Sequence, residues 1–589
     1  MTAPPSLRAA TAKSFLRRRP ASSVLAAAAG AAVLIERTAS LRDPRPLEEA
    51  VPSDRFDPRA VSEYWSNRPV SVACRLGTVV CGLGPVAGDY LAAYQIRPRL
   101  APLLGWSGGD GNKDEDEELR RQTALARKLR SALTNLGPTF VKVGQQISIR
   151  PDVVPPAVLH ELQRLCDAVP PFDDKIAMGV LREELERAAS KERKRRRRED
   201  GHDENEELAI KGDINDRPND NLEEEQQEDA SNSNNILLEV FESTPRLVAS
   251  ASLGQVYRAR LRSTDQDVAV KVQRPDILET VSLDLFLLLS YGRLVDKVCS
   301  VLTNQVPYHE SFLTDFAAGA YMELNYENEG SNQEYFRSEL RKRKGTKDRV
   351  VVPRVHGEYT TRRVLVSEWI DGTPLARSSP EQIRRLIPVG VELFLTQLLD
   401  IGRFHADPHP GNLYVTKSKE DGTTPVLCLL DFGLVAKVSQ DERESMTRAI
   451  VNLLRGDYDA LISTDAKSLG FLPPDADVTD LRPVLETILR RGLLESGSDM
   501  NDRRRNLMAI SDELNEVFFR YPFSVPPFFA LVTRGLGLLE GIALAGDPDF
   551  DIFRASYPYA TRRAVEAFGS MAGSDAWRLP RWVCNVAGR

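Results

Sequence analysis

The sequence predicts an α+β fold in two lobes, preceded by a helical extension. Three observations predict it. Apolar residues recur at helical spacing through residues 119–187. β-prone runs separated by turn residues begin near residue 236. From Pro380 the pattern is again helical, broken by the apolar run VLCLLDFGLV. At 589 residues the chain is too long for one core. Composition sets the expected boundaries: a transit peptide or disordered leader at 1–50, an N-terminal helical segment at 51–118, a helical extension at 119–187, a disordered charged insertion at 188–235, a strand-rich lobe at 236–372 and a helical lobe at 373–589.

The leader MTAPPSLRAATAKSFLRRRPASSVLAAAAGAAVLI holds Arg8, Lys13 and Arg17–Arg19 and has no acid before Glu36. That is the composition of an organelle transit peptide, and the apolar run Val24–Ile35 leaves a bipartite import signal open. Apolar residues at 42% and charged residues at 28% fit an ordinary soluble protein, and a net charge of -7 argues against non-specific nucleic-acid binding. Six scattered cysteines without a CxxC pair argue against a thiolate zinc site and a disulfide framework. No window reaches the roughly 18 uncharged apolar residues of a membrane span. SVACRLGTVVCGLGPVAGDYL (71–91) comes nearest, interrupted by Arg75, several glycines and Asp89, so the expectation is peripheral membrane contact at most.

In the extension, Leu119, Ala124, Leu125, Leu129 and Leu133 follow a helical period; Gly137-Pro138 stops that helix and Thr139 is placed to cap the next. KERKRRRRED (191–200) and the acidic, amide-rich stretch after it are nearly devoid of aromatics, so residues 188–235 are expected to lack a core and the basic run to be a solvated block. ILLEVFE, LVASASLGQVYRARL and DVAVKVQ read as strands; VVVPRVHGEYTTRRVLVSEWIDG adds two more, for a five-strand group with helices embedded at 277–341.

The chemistry begins at DFG (431–433), where VLCLL delivers Asp431 to a strand end. Nineteen residues earlier lies Asn412, and five before that Asp407. This is the Asp-to-Asn spacing of a kinase catalytic loop followed by DFG. A nucleoside triphosphate needs Mg²⁺ across its phosphates, and Mg²⁺ takes hard oxygen ligands, so Asn412 and Asp431 are the metal-ligand candidates. Asp407 is the candidate to orient or deprotonate the nucleophile. Lys271, among the alternating valines of VAVK (268–271), is the candidate phosphate-pairing lysine, and Glu368-Trp369-Ile370 after VLVS is the candidate hinge to an adenine, through Glu368 and Ile370. These signatures make the fold protein-kinase-like and the cofactors ATP and Mg²⁺.

The departures are as informative. In place of G-x-G-x-x-G-x-V stand Ala249, Ser250, Ala251, Ser252, Leu253, Gly254, Gln255 and Val256. Alanine resists close backbone approach and positive φ, so this phosphate loop is expected to be stiff, with Ser250 and Ser252 offering hydroxyls. Ala406 replaces the arginine that senses a phosphorylated activation loop, His409 stands where a lysine is usual, and no A-P-E follows DFG, which argues against a peptide platform. His405 is expected to anchor the loop structurally. His405 and His409 are also spaced i, i+4 like metal ligands, but Pro408 and Pro410 deny them a continuous helix.

With these motifs the chain resembles the UbiB/aarF-domain atypical kinase family, over roughly residues 119–560 outside the insertion. FVKVGQ holds the family's KxGQ at Lys142, Gly144 and Gln145; ASAS at 249–252 is similar to its Ala-rich loop; Glu323-Leu324-Asn325 resembles its ExD with Asn325 for Asp; HADPHPGN and LLDFG match fully. The resemblance implies that the KxGQ extension packs over the nucleotide cleft and blocks a protein substrate, with Lys142 and Gln145 as active-site residues. Glu323 and Glu329, read on one helix, would point about 120° apart at 100° per residue. The family pattern then gives Glu329 to Lys271 and frees Glu323 for Lys142.

FDPRAVSEYWSNRPVSV (56–72) and the stretch 521–563 look like plastid and cyanobacterial members, associated with lipid bodies and thylakoids. The resemblance implies a role in prenylquinone (plastoquinone, tocopherol or ubiquinone) metabolism, with a peripheral membrane or lipid-body surface, an isoprenoid lipid and quinone-biosynthesis proteins as partners. The compartment it implies is a plastid, with a mitochondrion as the alternative. Two other readings are carried: a nucleotide-binding pseudokinase scaffold for a lipid-biosynthetic complex, and a true protein kinase.

Overall fold

The computed structural model describes residues 47–92, 111–147, 171–199, 235–302, 309–406, 410–479 and 527–550, apart from 53–54, 419–420 and 456, with isolated positions elsewhere. The chain divides into two units: residues 1–328 with 358–366, and residues 329–357 with 367–589.

In the first unit, helices α1 (Pro58–Ser66), α2 (Pro69–Leu91), α3 (Gly111–Leu136), α4 (Pro138–Ile147), α5 (Asp174–Glu199) and α6 (Asn235–Val240) precede strands β1 (Arg246–Ser250), β2 (Gly254–Arg260) and β3 (Asp267–Gln273). Helices α7 (Ile277–Leu302), α8 (His309–Met322) and α9 (Tyr326–Arg341) follow; α9 continues into the second unit. β1, β2 and β3 pair antiparallel in sequence order, and β5 (Val364–Glu368) completes the sheet beside β3. Alternation works as the valines require: Val268, Val270 and Val272 are buried, which sends Lys271 to the opposite face. Under the sheet, Tyr257, Val270 and Val366 pack with Leu181 and Leu185 of α5 and with Leu237. A second cluster joins Trp65, Leu278, Leu285 and Tyr321, and a third joins Leu133, Phe140 and Val141.

In the second unit, β4 (Val350–Val351), β6 (Thr373–Pro374), β8 (Leu413–Lys417) and β9 (Pro425–Leu429) form a small sheet in the order β4-β9-β8-β6. β7 (Arg403–His405) pairs antiparallel with β10 (Val435–Lys437). Helices α10 (Pro380–Leu395), α11 (Gln440–Arg455) and α12 (Pro527–Gly546) share one core with these strands. α10 and α12 approach closely because Gly535 faces Phe394; a Cβ there would lie 2.4 Å from its ring.

Several expectations are corrected. ILLEVFE is helix α6 and not a strand: Leu237 and Phe241, one helical turn apart, are the buried residues. The five-strand group is four strands: ILLEVFE drops out as helix, VV at 350–351 pairs with β9 of the second unit, and LVASASLGQVYRARL splits into β1 and β2. After Pro380, β8 and β9 fall on the runs LYV (413–415) and VLCLL, which read as strands, and β7 and β10 are additional. Gly137, at φ 104°, and not Thr139 caps α4: its carbonyl accepts the N–H of Val141 at 3.0 Å, and Pro138 takes the first helical position, where a missing N–H costs nothing. The basic run extends α5 to Glu199, where Lys and Arg are good helix formers, with Lys191 3.5 Å from Glu327. Leu47 and Val51 are buried beside Trp65, so the packed chain takes in residues at the end of the expected leader. Residues 1–46 and 200–234 lie outside the described residues.

Candidate active site

Each unit holds one group of the expected functional residues. In the first, β1 and β2 bracket the Ala-rich loop, with Ala249 and Ser250 on β1, Ala251 and Ser252 in the turn, and Gly254 and Val256 on β2. The turn closes through Ala251 N–H to the Gly254 carbonyl at 2.8 Å. Gly254 is required by space, because a Cβ there would lie 2.4 Å from the Val272 carbonyl oxygen and 2.7 Å from the Tyr326 hydroxyl. The loop has a lock that the sequence reading missed. Arg274, three residues after Lys271, donates from Nη2 to Ser250 Oγ and to the Ala251 carbonyl, both at 3.2 Å, and its backbone N–H reaches the Leu253 carbonyl at 2.9 Å. Its guanidinium lies 5.3 Å from the Phe172 ring centroid, and burial holds its pKa below the usual arginine value. Ser250 thus accepts a hydrogen bond where the sequence suggested only a donor.

Lys271 pairs in register with Val256, and its Nζ lies 4.9 Å from the Tyr326 ring centroid. Lys142 Nζ lies 2.7 Å from Glu323 Oε2, both side chains largely withdrawn from solvent (12% and 11% exposed). The helical argument that separated Glu323 from Glu329 does not hold, because α8 ends at Met322 and α9 begins at Tyr326. Asn325 makes the break: its Oδ1 accepts the N–H of Glu327 at 3.0 Å and of Asn328 at 3.4 Å, an N-cap that Asn provides as well as Asp. The Asn-for-Asp departure therefore preserves a turn. Glu323 lies in that turn, in reach of Lys142; Glu329 lies in α9, buried, in the second unit. Gln145 is partly buried on α4. Gly144 sits against Leu165 and Leu133, where a Cβ would meet their methyls at 2.4 and 2.9 Å.

A second network ties the extension to the loop strand. Gln255 Oε1 accepts the Phe172 N–H, Gln255 Nε2 donates to Tyr257 Oη at 2.6 Å, and Tyr257 donates to Asp174 Oδ1 at 2.8 Å. Burial first, and then the bond to Asp174, pushes the Tyr257 hydroxyl pKa well up.

In the second unit, Asn412 ends a 3₁₀ turn (Pro410–Asn412), and its carbonyl accepts the Leu430 N–H at 2.9 Å, which fixes the loop to the strand end carrying Asp431. Asp431 has φ 61°, a left-handed conformation unusual outside glycine, and its exposed carboxylate accepts the Gly433 N–H at 3.1 Å. His405 holds this conformation from below. It is buried, its N–H donates to Gln397 Oε1 at 2.9 Å, and its Nε2 donates to the Asp431 carbonyl. A carbonyl only accepts, so Nε2 carries the proton. Phe432 is wedged by Phe336 (5.3 Å between centroids) and by His405 (5.7 Å), and its carbonyl accepts from Asn332 Nδ2 at 3.2 Å. Ala406 is buried, its N–H on the Leu434 carbonyl at 3.0 Å. After DFG only β10 precedes α11: Ser439 caps the helix, with its N–H on Glu442 Oε2 (2.8 Å) and its Oγ accepting the Glu442 N–H (3.2 Å). At the expected hinge, the Glu368 N–H is taken by the Arg354 carbonyl at 2.8 Å, which leaves base contacts from Glu368 to its own carbonyl; Ile370 follows in irregular chain after the end of β5. Asp407 and His409 lie outside the described residues, and the histidine-pair metal reading with them.

The family described as ABC1 atypical kinase-like domain matches residues 211–464. The chain is 34% identical over 546 residues to "Protein ACTIVITY OF BC1 COMPLEX KINASE 3, chloroplastic" of Arabidopsis thaliana, covering 91% of this chain and 65% of that protein. It is 34% identical over 534 residues to the uncharacterized protein slr1919 of Synechocystis, covering 89% and 79%. To "Protein ACTIVITY OF BC1 COMPLEX KINASE 1, chloroplastic", also of Arabidopsis thaliana, it is 32% identical over 447 residues, covering 75% and 56%. The chain thus spans less than two thirds of the length of either plant kinase.

Proposed function

Because the chain belongs to the ABC1 atypical kinase-like family, also called aarF or UbiB, we propose that it binds Mg-ATP and turns it over as an atypical kinase or ATPase supporting prenylquinone metabolism in a plastid. The observation that carries the proposal is the pair Asn412 and Asp431. Two hard oxygen donors stand on segments joined by the Asn412–Leu430 bond, and the Asp431 carboxylate is exposed at the strand end on a braced backbone of positive φ. That donor set fits magnesium. Asn412 and Asp431 would hold the ion, which when bound supplies neutralisation of phosphate charge. Lys271 pairs phosphate oxygens, the Ala-rich loop meets the phosphates through its backbone, and Asp407 orients or deprotonates the acceptor. Lys142, neutralised by Glu323, and Gln145 serve the same nucleotide from the KxGQ extension.

A small molecule, a lipid-bound partner or water is the favoured acceptor over a peptide. The support is the short path from DFG to the capped start of α11 at Gln440, which leaves no long platform segment, and Ala406 in place of the arginine of a phosphorylation switch. The plastid reading is supported by the chloroplastic relatives and the composition of the leader; a lipid-body or thylakoid surface and quinone-biosynthesis proteins as partners extend it. The Arg274 lock favours a second reading, a nucleotide-binding scaffold with little turnover, because a pinned loop adapts poorly to a moving phosphoryl group. Phosphate release by the purified full chain, with and without prenylquinone-bearing vesicles, separates the two. Turnover that rises with the lipid and is lost in Asp431→Asn supports the enzyme, whereas ATP binding with no release under any condition supports the scaffold.

A further inference from the structure

Two networks of the first unit meet and close a ring. At the start of α5, Asp174 Oδ1 accepts from Tyr257 Oη at 2.8 Å. A carboxylate only accepts, so Tyr257 donates, and the lone pairs of its oxygen are left for Gln255 Nε2 at 2.6 Å. That fixes which way the fully buried Gln255 amide points: its Oε1 faces the other way, where it accepts the backbone N–H of Phe172. The bond holds the main chain just before α5, and the Phe172 ring centroid then stands 5.3 Å from the guanidinium of Arg274. Arg274 in turn donates to Ser250 Oγ and to the Ala251 carbonyl. Ser250 is the register partner of Gln255 across β1 and β2, so the path returns to the strand position from which it set out.

The members of the ring differ in kind. Gln255 and Tyr257 are buried, and their side-chain polar atoms are bonded to one another and to the extension, so they are its fixed part. Phe172 and Arg274 are half-buried, and their contact is the one link made without a hydrogen bond. Burial withdraws water from the guanidinium and holds its pKa below the usual arginine value, so the electron-rich ring face supplies stabilisation that solvent does not. We propose that Phe172 is a positioning residue for the Ala-rich loop: by steadying Arg274 it sets how far Ser250 and Ala251 can shift to meet phosphate, so the extension tunes nucleotide affinity from outside the loop. The start of α5 is then a handle on the loop, because a displacement of residues 172–174 breaks the ring at the Phe172 N–H, at the Asp174 carboxylate and at the cation–π contact together. The inference deepens the reading of the loop as the phosphate cradle and rests on it. One arm of its test needs no nucleotide, so its failure is distinguishable from failure of ATP turnover.

The test uses the purified full chain and two readouts: hydrogen–deuterium exchange of the 249–256 amides without nucleotide, and the KM for ATP against kcat. Phe172→Leu keeps an apolar side chain and removes the ring face. It is expected to speed exchange in the loop about two- to tenfold and to shift the KM in the same direction as Arg274→Gln, with kcat little changed. Phe172→Tyr, which keeps the ring, is expected to restore wild-type behaviour. Tyr257→Phe attacks the ring from its other end by letting the Gln255 amide turn, and it should also speed loop exchange. The double variant Phe172→Leu/Arg274→Gln should shift the KM no further than Arg274→Gln alone, because both changes open one ring. Loop exchange and KM in Phe172→Leu equal to wild type overturn the proposal. So do shifts of Phe172→Leu and Arg274→Gln that simply add. Absence of ATP turnover in every form would fail the functional reading, while faster exchange in Phe172→Leu would still uphold the grip on the loop.

Discussion

The Ala-rich loop of the first unit and the DFG turn of the second solve opposite problems. The loop is tied down: a half-buried arginine holds a side-chain oxygen and a carbonyl of the very segment that, when glycine-rich, moves with its nucleotide. The DFG turn is strained and presented: Asp431 sits at φ 61° with an exposed carboxylate, and His405, Phe432 and Asn332 all brace the backbone beneath it. On the proposed function, what is braced is the group that would hold the metal, and what is restrained is the group that would meet the phosphates. The lesson is that the oxygen ligands are kept while the adjustable parts of a kinase are fixed or removed.

The contrast can be broken most severely at Asp431. Asp431→Asn keeps an oxygen for the Gly433 N–H, so the fold should survive, while turnover is expected to fall about 10²–10³-fold. A fall in phosphate release with an unchanged circular dichroism melt is the outcome sought; equal turnover would remove the second unit's role. Next is Lys142→Ala, which leaves the largely buried Glu323 carboxylate without this cation and should cost about 3 kcal/mol in urea unfolding. The Lys142→Met/Glu323→Gln pair should recover much of that loss. If Lys142→Ala alone is neutral, the ion pair is not part of the unit's architecture.

Smaller effects sharpen the comparison. Gly144→Ala sets a methyl against Leu165 and Leu133 and should destabilise by about 1–3 kcal/mol without altering ATP affinity in whatever fraction folds. Arg274→Gln frees the loop: about 1 kcal/mol of stability should be lost with its hydrogen bonds, and the KM for ATP should shift several-fold while that of Asp431 variants does not follow the same pattern. An unchanged KM would mean that the lock is merely structural. Ser439→Ala, at the cap of α11, should cost about 1 kcal/mol and leave turnover per folded molecule alone.

What was legible in the sequence follows the same division. Lys271, Asn412 and Asp431 were singled out because phosphate and magnesium dictate residue type and spacing, and the capped helix soon after DFG was visible as an early amphipathic run. The Arg274 lock was invisible, since an arginine three residues past a strand lysine is ordinary until its guanidinium is seen on Ser250. The Glu323–Glu329 geometry was misjudged because periodicity assumes an unbroken helix, and Asn325 breaks it by capturing two N–H groups with its own side chain. α6 was taken for a strand because short apolar runs of β-branched and aliphatic residues fit either period. Residues 71–91 were read as too interrupted for a span, but α2 is long and apolar enough to cross a membrane by length and composition, because Arg75 and Asp89 are its only charges and its glycines do not end the helix.

The most direct test of the central claim is calorimetric titration of ATP into the full-length wild type and Asp431→Asn, each with magnesium and with EDTA. The account predicts equal affinities in EDTA and a magnesium-dependent tightening that only the wild type shows. The same magnesium dependence in Asp431→Asn would contradict it.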